Sequence, residues 1–102
     1  MDDDAVFRAL ADKSRRLLLD RLRRRNGQTL SELSEGLAMT RQAVTKHLQV
    51  LASVGLASSS PLGRERVWEF ESEPLDAARQ CLDGISAQWD QALGRLKKFV
   101  EE

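Results

Sequence analysis

The apolar positions of this chain follow two periods, and the switch between them sets its layout. From the N-terminus to about residue 55 they recur three and four apart, the spacing of helices with one buried face. Asp3 or Asp4 is placed to cap a first helix carrying Val6, Phe7 and Leu10. Ser14 is placed to cap a second, with Leu17, Leu18 and Leu22 inward and a left-handed stop at Asn26-Gly27. Thr29 followed three residues later by Glu32 is a capping box, opening a short helix with Leu30, Leu33 and Leu37 inward. Thr40 caps the next helix, whose inward stripe is Ala43, Val44, Leu48 and Leu51, ending near Gly55.

The period then shortens. Leu56 to Ser60 and Glu65 to Glu71 read as short extended runs, and Pro61-Leu62-Gly63-Arg64 between them supplies turn chemistry, predicting a hairpin with a basic tip. Pro74 opens a last helix where its missing N–H costs nothing. That helix carries Leu75, Ala78, Leu82, Ile85, Trp89, Leu93, Leu96 and Val100, each three or four residues from the last, a seam of coiled-coil type. From Leu75 to Val100 it would run about 39 Å. A body of about 13 Å radius of gyration does not cover that length. An identical chain is the simplest supplier of the missing cover. The other solution is a bend back onto the core at Gly84 or Gly94, each of which weakens the helix by about 1 kcal/mol.

Length and composition narrow the class. A chain of 102 residues reads as one domain spanning 1–102. Its 41% hydrophobic and 31% charged content is ordinary for a folded soluble protein. No apolar run reaches the length of a membrane span, and Asp2, Asp3 and Asp4 are the opposite of a secretory leader, so the expected location is cytoplasmic, with no membrane partner. One Cys excludes an internal disulfide framework, and one His with one Cys does not make a four-ligand zinc site within one chain. The net charge of zero hides a segregation: −3 over residues 1–12, +7 over 13–66 and −4 over 67–102. A basic centre between acidic ends points to a polyanionic partner.

The two short helices joined by Gly36-Leu37-Ala38-Met39-Thr40 and followed by a basic-tipped hairpin predict a winged helix-turn-helix. The expected fold is mainly α with a small β-hairpin wing: five helices, the helix-turn-helix over about 29–54, the wing over about 56–71 and the closing helix over about 74–101. Removing the inward stripe from the second helix of the motif leaves Thr40, Arg41, Gln42, Thr45, Lys46 and Gln49 outward. Arg41 can fork onto guanine, Gln42 onto adenine, and Thr45 can touch a thymine methyl. Thr40 and Lys46 suit phosphate contacts, which fix position rather than sequence. Arg64 and Arg66 extend the same basic surface onto the wing.

Other residues draw attention for less reason. His47 lacks the partners a metal or catalytic site needs; it packs beside the helix or donates to a phosphate. Cys81 falls beside the last seam, as a small hydrophobe or as a redox-sensing thiol across a dimer. The run Arg21, Arg23, Arg24, Arg25 ends the second helix, where cations complement its dipole; a phosphate contact is the other reading. Trp68 and Trp89 suit core or interface anchoring. An enzyme reading fails on parts, with no phosphate-cradling loop, no metal cluster and no acid–base pair, so neither catalytic residues nor a cofactor are expected. A winged helix can also serve as a protein-interaction module without sequence-specific DNA binding. The basic face and wing favour double-stranded DNA, and binding that weakens steeply with salt separates the two.

Phe7-Arg8-Ala9-Leu10-Ala11-Asp12, Ser14-Arg15-Arg16, Leu30-Ser31-Glu32-Leu33, and the run from Gln42-Ala43-Val44-Thr45-Lys46-His47-Leu48 through Leu51 to Gly55-Leu56 together resemble the ArsR-type winged helix-turn-helix repressors. Gly63-Arg64-Glu65-Arg66-Val67-Trp68 and the closing Trp89…Leu93…Leu96 segment fit as well, so the resemblance covers nearly the whole chain. It implies a homodimeric transcriptional repressor that holds an imperfect inverted-repeat operator with two recognition helices. Its interface would come from the first and last helices: Val6, Phe7 and Leu10, with Leu82, Ile85, Trp89, Leu93, Leu96 and Val100. Metal-sensing relatives carry paired cysteines in the third helix, where this chain has Leu30-Ser31-Glu32-Leu33-Ser34-Glu35. Others use Asp and His on the last helix, where this one offers Asp76, Asp83 and Asp90 without a His. Cysteine-based metal sensing is therefore not expected, and the effector stays open.

Overall fold

A computed structural model describes residues 3–101, beginning with two helices, α1 (Asp3–Leu10) and α2 (Lys13–Arg24), joined by a two-residue elbow. The backbone is already helical at Asp3 and Asp4, so neither stands at the capping position expected of it. Asp12, not Ser14, caps α2: its Oδ1 accepts from the backbone N–H of Ser14 at 2.8 Å and of Arg15 at 3.1 Å. A carboxylate is the stronger acceptor at the positive end of a helix, so the start moves up to the acid. Arg15 and Arg16 then reach back, Nε of Arg15 donating to the carbonyl of Ala9 and Arg16 to that of Leu10, both at 2.7 Å. Those donations satisfy carbonyls that the end of α1 leaves open.

The inward face of α2 is also one step from the expected stripe. Leu18, Leu19 and Leu22 are buried, while Leu17 points outward. After α2 come β1 (Gln28–Thr29), α3 (Leu30–Ser34), α4 (Arg41–Ser53), β2 (Ala57–Leu62), β3 (Glu65–Phe70) and α5 (Glu73–Glu101). Among the described residues this makes five helices and one antiparallel sheet of order β1-β3-β2. The two-residue β1 was not expected from the sequence pattern. It pairs Gln28 with Trp68 and Thr29 with Val67. Gln28 is buried, and its amide donates to the carbonyls of Arg21 and Arg25 at 2.8 and 2.6 Å, closing the end of α2. Asn26 Oδ1 accepts from the N–H of Phe70 at 2.7 Å, tying the same corner to β3.

The core sits where α2, α3, α4 and the sheet meet, with Leu18, Leu22, Leu33, Val44, Leu48, Leu51 and Leu56 fully buried and Trp68 closing it from β3. The exit from α4 is fixed by a paired turn. Gly55 donates to Ala52 and Leu56 to Leu51, at 3.0 and 2.9 Å, with Gly55 at φ +79°. A side chain there is strained by the backbone, and its Cβ would stand 3.2 Å from Cγ of Pro74 in α5. The protein extends 69 × 27 × 21 Å, because α5 continues straight through Gly84 and Gly94 instead of folding back. No described helix is long and apolar enough to cross a membrane.

Candidate nucleic-acid interface

The helix-turn-helix is set by local chemistry at both ends of α3. Thr29 and Glu32 form the expected capping box, and Arg25 pairs with Glu32 at 2.7 Å. The N–H of Thr29 is the main influence holding the Glu32 carboxyl below its usual range, with the Arg25 charge adding to it. At the other end Arg21 donates to the carbonyls of Leu33 and Glu35, at 3.1 and 2.7 Å. Thr40 caps α4 through its side chain, accepting from the N–H of Ala43 at 3.1 Å. Val44, Leu48 and Leu51 bury one face of α4, leaving Thr40, Arg41, Gln42, Lys46 and Gln49 exposed and Thr45 half-buried.

The wing is a tight hairpin turning at Gly63-Arg64, with Gly63 at φ +59°. A positive φ at the first turn residue suits the twist of paired strands and needs glycine. Arg64 is exposed at the tip, and Arg66 is held across the hairpin, its Nε donating to Ser59 Oγ at 3.0 Å. Ser31 donates to Glu65 at 3.1 Å, linking α3 to the wing. Between α4 and the wing lies a cleft of about 300 Å³ that brings Arg41 and Thr45 together with Arg64 and Arg66. Gln42 and Lys46 stand on the adjoining outward surface.

His47 is not in that cleft. It is half-buried on α4. The Arg15 N–H is the largest influence lowering the Asp12 carboxyl, and the charges of Arg15 and His47 reinforce it. The arginines of residues 13–66 divide cleanly. Arg15, Arg16, Arg21, Arg23, Arg24, Arg25 and Arg66 each donate to a protein oxygen. Arg41 and Arg64 have no such acceptor among the described residues. The Arg21–Arg25 run is thus engaged within the chain, and Asp20, bonded first to Arg23 and also paired with Arg24, has its carboxyl lowered by them.

A second surface runs along α5. Leu82, Ile85, Trp89, Leu93, Leu96 and Val100 are 46 to 75% exposed. Phe7 and Leu10 of α1 are half-buried and, with Leu75, Ala78 and Leu82, line a groove of about 310 Å³ at the root of this stripe. Val6 is inside the chain's own core at 1% exposure and offers no surface to a partner. Three exposed hydrophobics escaped the sequence pattern: Phe99, beside the seam, Leu62, next to the wing tip, and Val50 on α4. Cys81 is a half-buried free thiol.

Comparison with known proteins places this geometry. A family model described as a helix-turn-helix domain matches residues 10–59. The chain is 49% identical to an uncharacterized HTH-type transcriptional regulator of Bacillus subtilis, YuzN, over 71% of this chain and 85% of the relative. It is 36% identical to the HTH-type transcriptional regulator Rv2034 of Mycobacterium tuberculosis, over 96% and 88%. Among solved structures it superposes on an ArsR-like transcriptional regulator from Rhodococcus sp. RHA1 with a TM-score of 0.82 and 35% identity, covering 95% of this chain and 91% of that one.

Proposed function

The chain belongs to the ArsR-like helix-turn-helix transcriptional regulators, a non-enzymatic, DNA-binding class, and from that premise we propose that it works as a homodimeric repressor on an inverted-repeat operator. In this reading the whole of 1–102 acts as one cytoplasmic unit, with α4 in the major groove and the wing on the adjacent backbone. Arg41, Gln42 and Thr45 read bases; Thr40, Lys46, Arg64 and Arg66 hold phosphates. His47, half-buried next to Lys46, packs beside α4 or donates to a phosphate. The dimer forms through the apolar stripe of α5 with Phe7 and Leu10, because an uncovered stripe of that length is costly in water. A two-fold axis then sets two α4 helices about 34 Å apart, one turn of duplex.

The observation that carries the reading is the pair Arg41 and Arg64. They lie more than twenty residues apart in the sequence, line one cleft, and donate to no oxygen among the described residues, while the neighbouring arginines donate within the chain. Anisotropy titration of a labelled duplex from the chain's own upstream DNA tests it. Arg41→Ala with Arg64→Ala should abolish specific binding, whereas Arg95→Ala with Lys98→Ala, the same charge removed from α5, should leave it nearly intact. Equal losses from both pairs would reduce the effect to bulk charge and refute the assignment.

A further inference from the structure

We propose that the cleft between α4 and the wing is also a ligand site, taking a small planar aromatic carboxylate that competes with DNA for Arg41 and Arg64. The competition rests on the DNA-facing reading of those arginines; the site itself does not.

The cleft has two chemically distinct walls. One is apolar, formed by half-buried Leu30 and by the indole of Trp68, which is 6% exposed. The other carries guanidinium groups. Arg41 and Arg64 donate to no protein oxygen among the described residues, and Arg66 is fixed by Ser59 at 3.0 Å. Three arginines against the single carboxylate of Glu65 leave the lining cationic, and Ser31 holds that carboxylate at 3.1 Å. A phosphate strand needs the guanidinium wall and gains nothing from the apolar one. A flat aromatic acid uses both, its ring against Trp68 and Leu30 and its carboxylate forked by an arginine. The volume of about 300 Å³ lies at the small end of ligand pockets and suits one or two fused rings. Because the same guanidinium groups face DNA, an acid seated in the cleft excludes the duplex from it, which makes the ligand an inducer.

The test uses the parent protein, with Trp89→Phe serving only to assign the Trp68 resonance, since Trp68 and Trp89 are its two tryptophans. The indole N–H resonance of Trp68 is followed by NMR during addition of 2-naphthoate, of 2-naphthylmethanol as its neutral counterpart, and of inorganic phosphate. A saturable shift with 2-naphthoate alone is expected. Arg41→Ala with Arg64→Ala in the otherwise unchanged protein should weaken it about tenfold or more, the cost of a lost charge-assisted bond. An undisturbed Trp68 resonance in the ligand-free variant shows that the fold is kept. 2-Naphthoate should also displace a bound labelled duplex, with the duplex affinity falling as its concentration rises. No shift at millimolar 2-naphthoate, or an equal shift with phosphate, overturns the aromatic-acid site while duplex binding through Arg41 and Arg64 stands. If 2-naphthoate binds but the double substitution leaves duplex affinity unchanged, the ligand site survives and the DNA-facing reading falls.

Discussion

Arg64→Ala is the cleanest probe of how the wing contributes. Arg64 sits exposed at the hairpin tip and bonds to no described residue, so its removal should change stability by no more than about 0.5 kcal/mol. Its effect on DNA should be large in one specific respect. If Lys46, Arg64 and Arg66 each neutralise one phosphate, a dimer makes six such contacts, and log affinity falls with log salt at a slope of about −5.4. Losing Arg64 from both protomers leaves four and a slope of about −3.6. Between 50 and 200 mM salt the parent should then weaken about 2,000-fold and the variant about 150-fold. Anisotropy titrations at four or five salt concentrations read both slopes, and the loss at low salt should be similar for specific and unrelated duplexes. An unchanged slope, with thermal unfolding also unchanged, would show that the wing tip does not touch the backbone.

Three further outcomes follow from the geometry. Trp89→Ala with Leu93→Glu, both on the exposed stripe of α5, should convert a sedimenting dimer to monomer and weaken operator binding with it; parent protein that sediments as a monomer at tens of micromolar contradicts the interface. Gly55→Ala combines a left-handed backbone with a 3.2 Å approach to Pro74 and should cost about 1–3 kcal/mol, seen as a fall of several degrees in Tm. Glu32 is held below its ordinary pKa by the Thr29 N–H and then by Arg25, so its stabilisation is complete above the unfolded carboxyl value of about 4.3 and is lost as pH falls through the lower folded value. Glu32→Gln should therefore flatten the acid limb of a Tm-against-pH curve, and an identical limb would show that the capping box carries no pH dependence.

What was legible in the sequence was chiefly local. The Thr29 and Glu32 box, the Thr40 cap and the Val44, Leu48, Leu51 stripe need only neighbouring residues, and each appears where the spacing puts it. The phase of α2 was not legible, because Leu17, Leu18 and Leu19 are consecutive and only packing against α4 and the sheet decides which faces inward. Asp12 outcompeted Ser14 as a cap because it is charged, a difference that spacing alone does not weigh. A two-residue strand has no periodicity; β1 exists because β3 offers it partners. In the candidate site the outward residues of α4 could be read off the helix, but the cleft could not, since it needs the wing folded against α4. Nor does charge counting separate Arg41 and Arg64 from the arginines already engaged within the chain. His47 is next to Lys46 in sequence yet does not line the cleft, a difference that the seating of α4 decides.

The most direct measurement is a selection from random duplexes with the parent protein, Gln42→Ala and Arg41→Ala. The parent should enrich an imperfect inverted repeat whose half-sites are one helical turn, or a small multiple of it, apart. Gln42→Ala and Arg41→Ala should each relax preference at one symmetric pair of positions, by about 1–3 kcal/mol of lost discrimination, with non-specific affinity little changed for Gln42→Ala. Enrichment of no symmetric site, or an identical preference in all three proteins, would contradict the claim that this face of α4 reads DNA.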